Sequence, residues 1–350
     1  MNADDFAIVV GIRDYPNFGT TSSDPRNLQG PDNDATAVHR WLVDPEKGGV
    51  PAANATLIRT SDFSAAPGGP AQPQKQAIID AFNVLEDRAQ QNDQAGNGLR
   101  VGRRLYMYMS GHGFAPRRKE GAVFAADATR SRTHHIFATR WLEWFYNADY
   151  FDEFVLLMDC CMVFDLTVVP ESPGFRLLQG TGSGALFSAY AARFPQQAVE
   201  RQMPDGKVHG VFTWALLEGL NGAAASPITR QVTSESLKNY LIHQMKAFMD
   251  PMDIEDSNVS KEPDFGADDP IVFCTVETVP QAVVHLLFPL ALADQDFTVV
   301  SGTPPKTVAH GRINGRLGKV NLPPGIYFVK APGLAKGFEV EGTQEFQIDV

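Results

Sequence analysis

The chain has 350 residues, 43% of them hydrophobic and 20% charged, which provides for a packed core and excludes global disorder. With 30 Lys plus Arg against 41 Asp plus Glu, the net charge is -11, a field that suits a cationic peptide and argues against nucleic acid as a partner. Cys160, Cys161 and Cys274 cannot form a disulfide framework, since two are sequence neighbours and the number is odd. No stretch approaches the roughly 18 to 20 apolar residues of a membrane span, and MNADDF lacks a basic secretory leader, so a cytoplasmic chain with no membrane partner is expected.

Taken in order, Phe6 to Ile12 is a nearly continuous apolar run, the pattern of a strand buried on both faces of a parallel sheet. After a Gly/Pro/Ser/Asn loop, Asp32-Asn33-Asp34 opens a helix whose apolar stripe is Ala35, Val38, Trp41 and Leu42. Thr56 to Thr60 reads as a second strand, 61–74 as a loop and Lys75 to Gln90 as a helix with Ile78, Phe82 and Leu85 inward. Leu105 to Met109 is a strand ending in Ser110-Gly111-His112-Gly113, and Trp141 to Tyr146 is a short helix. Phe154 to Met158 is a strand ending in Asp159-Cys160-Cys161, and Ala185 to Ala189 is a fifth strand. Helical patterns follow around Phe212 to Leu220 and Leu237 to Met249. An acidic, irregular stretch, Asp250 to Asp269, leads to a last strand at Ile271 to Cys274. Strands alternating with helices predict an α/β fold with a mainly parallel sheet.

Beyond 276 the periodicity changes. Val283 to Phe288, Phe297 to Val300, Lys319 to Leu322, Gly325 to Val329 and Glu345 to Val350 are short strand-like runs between Gly/Pro turns. The predicted organisation is a first domain over 1–276 and a small all-β sandwich over 277–350.

In an open parallel sheet, functional groups collect beyond the C-terminal strand ends. His112 and Cys161 each follow such an end and become neighbours if those strands pair. A thiol needs an imidazole beside it, to take its proton and later to protonate a leaving amine. Gly111 and Gly113 allow a sharp turn and leave the Gly113 N–H able to hold an oxyanion.

Five segments resemble the caspase-like cysteine peptidases, in particular their bacterial and metacaspase branch. They are Ala7-Ile8-Val9-Val10-Gly11-Ile12, Leu28 to Ala35, Tyr108 to Gly113, Leu156 to Cys161 and Gly210-Val211-Phe212-Thr213. The resemblance covers roughly residues 5–275 and implies a caspase-haemoglobinase-type sheet of the peptidase C14 kind. It implies His112 and Cys161 as the catalytic pair, Cys160 as spacer, and the N–H groups of Gly113 and Cys161 as oxyanion donors. It also implies a pocket for Arg or Lys made by Asp34, Ser110, Asp127 and Asp159, and a regulated role in bacterial stress or defence. Met162-Val163-Phe164 departs from the His-Ser-Gly that metacaspases carry after the nucleophile, which puts the shape of the following loop in doubt. Arg13 and Arg26 keep an Asp-directed pocket open. By position, Arg176 in the loop from Asp165 to Gly184 is a candidate self-cleavage site.

Other readings compete. His134-His135 is not a metal pair, because adjacent side chains splay, and reads as a surface loop. His39, His209, His243, His285 and His310 read as structural or solvated. Asp34 could cap its helix instead of lining a pocket, and Asp159 could cap a strand end. The acids from Asp250 to Asp256 are a candidate calcium site without EF-hand order, so no cofactor and no metal ligand is assigned. The expected partners are a protein or peptide substrate and a regulatory protein held by the C-terminal domain. The rival to the enzyme is a catalytically silent module of the same fold that only binds partners.

Overall fold

The fold is that of a computed structural model, which describes residues 3–19, 26–64, 70–163, 168, 171, 173–174, 180–302, 304–340 and 345–350. The chain forms two compact units, Met1–Leu217 with Thr233–Cys274, and Glu218–Val232 with Thr275–Val350. The second unit thus takes in 218–232, a segment that the sequence groups with the first domain.

Along the chain, β1 (Asp5–Gly11), α1 (Pro31–Val43), β2 (Ala55–Arg59), α2 (Lys75–Gln94) and β3 (Gly102–Ser110) are followed by three short strands, β4 (Gly113–Arg117), β5 (Glu120–Phe124) and β6 (His135–Ile136). Next come α3 (Ala138–Asn147), β7 (Phe151–Asp159), β8 (Ala185–Tyr190), the hairpin β9 (Glu200–Gln202) and β10 (Val208–Gly210), and α4 (Val211–Glu218). Beyond them lie β11 (Gln231–Thr233), α5 (Ser234–Gln244), α6 (Pro251–Glu255), β12 (Asp264–Asp268) and β13 (Val272–Thr275).

The central sheet has the order β12-β8-β7-β3-β1-β2, with β12 antiparallel and the other five strands parallel. This is an α/β fold with a mainly parallel sheet. The alternation of β1 explains its apolar run. Phe6, Ile8 and Val10 face a core shared with Phe82 and Leu85 of α2 and Trp141 and Phe145 of α3. On the opposite face a Cβ at Gly11 would strike Ala35 of α1, and the Tyr108 hydroxyl bonds Thr213 of α4 at 2.6 Å. Because β1, β3 and β7 run the same way, their ends align, with Gly11 opposite Ser110 and Ser110 opposite Asp159.

Two expectations are corrected. The strand near 271–274 does form, as β13, but it stands outside the central sheet. The edge position belongs to β12, inside the acidic stretch read as irregular. An edge strand tolerates acids and glycine, so Asp264, Gly266 and Asp268 conceal it from a search for apolar runs. Among the described residues no helix is long and apolar enough to cross a membrane.

In the second unit, β14 (Ala282–Leu287), β15 (Asp296–Ser301), β16 (Lys306–Arg312), β17 (Leu317–Leu322), β18 (Gly325–Ala331), β19 (Leu334–Val340) and β20 (Phe346–Asp349) form two sheets, β17-β14-β20 and β16-β15-β18-β19. Val284, Leu286, Phe297, Val299, Tyr327 and Val329 fill the space between them. The sequence foresees neither β16 nor β19, whose exposed residues include Lys306, Arg312, Lys336 and Glu339.

Phe82 is fully buried, with its ring centroid 4.4 Å from that of Trp141. Phe82→Ala is expected to cost the first unit about 3–5 kcal/mol in denaturant unfolding, through lost transfer energy and a residual cavity. A loss below about 1 kcal/mol would mean that α2 does not hold this face of the sheet.

Candidate active site

The chain leaves β3 at Ser110 and turns at Gly111, where any side chain would collide with the Tyr15 hydroxyl. Leaving β7 at Asp159, it passes Cys160 and Cys161. These two exits, the start of α1 and the segment from Gln197 to Glu200 enclose a cleft of about 210 Å3. His112, Cys161, Asp34, Ser110, Asp159 and Glu200 are all on its walls.

The His112 ring is fixed from three sides. Its backbone N–H donates to the Tyr15 hydroxyl at 3.0 Å, and that hydroxyl donates to the Phe124 carbonyl at 3.2 Å. Its ring lies 4.8 Å from Tyr15 and 5.9 Å from Phe18, centroid to centroid. Nε2 is 2.7 Å from the Arg26 carbonyl. A carbonyl only accepts, so the proton sits on Nε2 and Nδ1 is the basic nitrogen. Burial lowers the His112 pKa, which keeps the ring neutral near pH 7.

The two neighbouring sulfurs occupy different surroundings. Cys160 is buried in the apolar core against Gly113, and burial raises its pKa well above the ordinary thiol value. Cys161 is half-buried, and its thiol lies 3.8 Å from the Ala198 carbonyl. Its pKa is raised as well, first by burial, so imidazole and thiol face the cleft uncharged.

Two carboxylates are buried at the same edge. Asp34 does not cap α1; its Oδ1 accepts from His209 Nδ1 at 2.7 Å and its Oδ2 from the Gly210 N–H at 3.0 Å. Asp159 accepts from the N–H of Thr213 at 3.0 Å and from its hydroxyl, in the first turn of α4, where the helix end favours an anion. Burial raises Asp34 to about 6, and burial with repulsion from Asp34 raises Asp159 to about 7. Gly210 has no alternative, because a Cβ there would fall on the Asp159 carboxylate. Glu200 accepts the N–H groups of Gln29 and Gly30 at 2.9 and 2.8 Å, tying the hairpin to the start of α1.

Of the residues that the sequence singles out, His112, Cys161, Asp34, Ser110 and Asp159 come together in this cleft. Asp127 is not among its walls; it accepts the Lys75 N–H at the start of α2 and pairs with His134 at 2.8 Å. A carboxylate that caps a helix has its lone pairs taken up locally. Gly113 opens β4 opposite Val123 and packs on Cys160. His135, expected on a surface loop, is instead buried in β6, with Nδ1 on the Thr133 carbonyl. Arg13 pairs with Asp14 at 3.1 Å and is not on the cleft. Arg176 lies outside the described residues. Asp250, in the acidic stretch, pairs with Arg201 at 2.8 Å, and among the described residues no three His, Cys, Asp or Glu gather to hold a metal ion.

The sequence reading missed His209, Glu200 and Tyr15. His209 had a usable signal, because it directly precedes the Gly210-Val211-Phe212-Thr213 helix entry. Glu200 and Tyr15 have no local pattern; their partners are 171 and 97 positions away.

No protein-family model and no curated protein matches the sequence. Among solved structures the chain is similar to caspase-1 from Spodoptera frugiperda, at 12% identity and a TM-score of 0.47, over 79% of this chain and 92% of that one. A likeness of that degree identifies neither family nor activity.

The raised Asp159 pKa has a thermodynamic consequence. Between the unfolded carboxylate value and about 7, the folded chain holds a proton that the unfolded chain has lost. Stability is therefore largest below that window and falls as pH rises through about 7. Asp159→Asn keeps both Thr213 partners and is expected to exceed wild type by about 1–4 kcal/mol near pH 8, the gap closing toward about pH 4. Parallel unfolding curves for the two proteins across that range would exclude a buried, raised carboxyl.

Proposed function

We propose that the protein is a caspase-like cysteine endopeptidase that cleaves after Arg or Lys. The observation that carries this reading is that one cleft has His112 and Cys161 on its walls together with the carboxylates of Asp34, Asp159 and Glu200. A substrate carbonyl enters beside Cys161. His112 Nδ1 removes the thiol proton as sulfur attacks carbon, and the N–H groups of Gly113 and Cys161 hold the oxyanion. The tetrahedral species collapses to a thioester, and the departing amine takes the proton from His112. Water, deprotonated by His112, then attacks the thioester and releases the acid and the thiol. The Arg26 carbonyl holds the imidazole in the tautomer that each step needs.

Substrate preference follows from the sign of the walls. A guanidinium with five N–H donors is complementary to carboxylates and Ser110, whereas an aspartate side chain would meet like charge. Lys is expected to be a poorer substrate, because it offers a point charge in place of a planar fork. The mechanism draws on side chains, backbone and water, with metal unassigned. The second unit is proposed as a separate domain that binds a regulatory protein.

Iodoacetamide is expected to modify Cys161 ahead of buried Cys160, with a rate that climbs with pH and has no plateau below the ordinary thiol pKa of about 8.5. Cys161→Ala and His112→Ala should each lower kcat/KM on an Arg-ending fluorogenic peptide by at least about a thousandfold, while Cys160→Ala retains turnover. Activity lost in Cys160→Ala but kept in Cys161→Ala would move the nucleophile. Wild-type protein that turns over no peptide, with Cys161 unmodified, would leave the silent-module alternative. Better cleavage of an Asp-ending than an Arg-ending peptide would overturn the pocket while sparing the Cys–His chemistry.

A further inference from the structure

We infer that His209 is a specificity-determining residue, an internal cation that occupies the buried carboxylate Asp34 and so limits how strongly the cleft holds a basic side chain. The ligand class rests on the peptidase reading; the electrostatics do not. His209 Nδ1 lies 2.7 Å from Asp34 Oδ1 and Nε2 lies 3.1 Å from Asp205 Oδ2. Ionised carboxylates only accept, so a ring with one at each nitrogen carries both protons and a full positive charge. The imidazole is 5% exposed and rests against Trp214, 5.5 Å between centroids, which leaves that charge poorly screened by solvent.

Among the described residues, the other acids of the cleft have neutral donors only. Asp159 takes the Thr213 N–H and hydroxyl, and Glu200 takes two backbone N–H groups. An entering guanidinium therefore meets Asp159 and Glu200 without a competing cation, but shares Asp34 with one already in place. The charged groups around His209 are Asp34 from α1, Asp159 from the end of β7, Glu200 and Arg201 from β9, and Asp205 and Lys207 from the hairpin turn. Arg201 is itself held by Asp250 at 2.8 Å and the Phe248 carbonyl at 3.0 Å. Burial alone would lower the His209 pKa; the bonds and charges of Asp34 and Asp205 outweigh it and raise it. The cation thus persists near neutral pH and is lost on the alkaline side.

The test is calorimetric binding of N-acetyl-argininamide to the full-length Cys161→Ala protein, with N-acetyl-citrullinamide as the uncharged control. At neutral pH, adding His209→Gln is expected to tighten guanidinium binding about tenfold, the equivalent of one pKa unit of interaction. Citrulline binding should not change. Asp34 and Asp159 titrate as well, and Asp34 moves upward once the bond and charge of His209 that hold it down are gone, so the deciding quantity is the ratio of the two Kd values at each pH from neutral upward. That ratio should shrink toward one as pH rises into the alkaline range, where the imidazole loses its proton and the guanidinium is still charged. Asp205→Asn, on an exposed turn, should start that convergence at lower pH, and it carries the test alone if His209→Gln does not fold. In active protein the same gain should appear in KM for Arg-ending peptides and not in kcat.

A ratio of one at every pH, weaker binding in the variants, or no guanidinium binding by any of the proteins overturns the inference. The expected ratios in a protein whose Cys161 neither labels nor turns over would sustain His209 and sink the peptidase reading.

Discussion

Everything at the cleft depends on keeping two carboxylates out of water at one edge of the sheet. Asp34 and Asp159 repel each other, and burial favours the protonated form of both. The fold surrounds each with donors. Asp34 receives His209 and the Gly210 N–H, and Asp159 receives the first turn of α4. Those donors come from one short run, His209 to Thr213, so the hairpin exit and the helix start are shaped by the acids they serve. Gly210 lies between the two carboxylates, where nothing larger than hydrogen fits against Asp159.

The parallel sheet gives these groups a common address. Ser110 is in register with both Gly11 and Asp159, so three strands deliver their last residues to one line. His112 and Cys161 are placed just past that line. Burial lowers the His112 imidazole and raises the Cys161 thiol, so both groups on the cleft wall are held toward their neutral forms.

How much of this was legible in the sequence follows from where each signal resides. The buried strands announce themselves because parallel strands are apolar on both faces, and β1, β3 and β7 fall where their runs place them. Edge strands β12, β16 and β19 carry polar outer faces and escape the same search. His112 and Cys161 were readable because each ends a strand with a short local motif. Asp127 shows the limit of transfer by motif, since its carboxylate goes to the start of α2 and to His134. His209 reads as one of several scattered histidines, because its contact with Asp34, 175 positions earlier, leaves no local pattern.

The Glu200 clamp on Gln29 and Gly30 spans 171 and 170 positions, and the Asp34 contacts span 175 and 176. The cleft is therefore non-local in the extreme, and its closing pieces are synthesised after Cys161. A chain still emerging from the ribosome carries the thiol and His112 before the acids at the strand ends have their donors. The cleft is assembled only when the His209 to Thr213 segment becomes available, by which point the first half of the sheet can already be in place. Long contact range thus acts as a timer, separating the synthesis of Cys161 from the completion of the cleft around it.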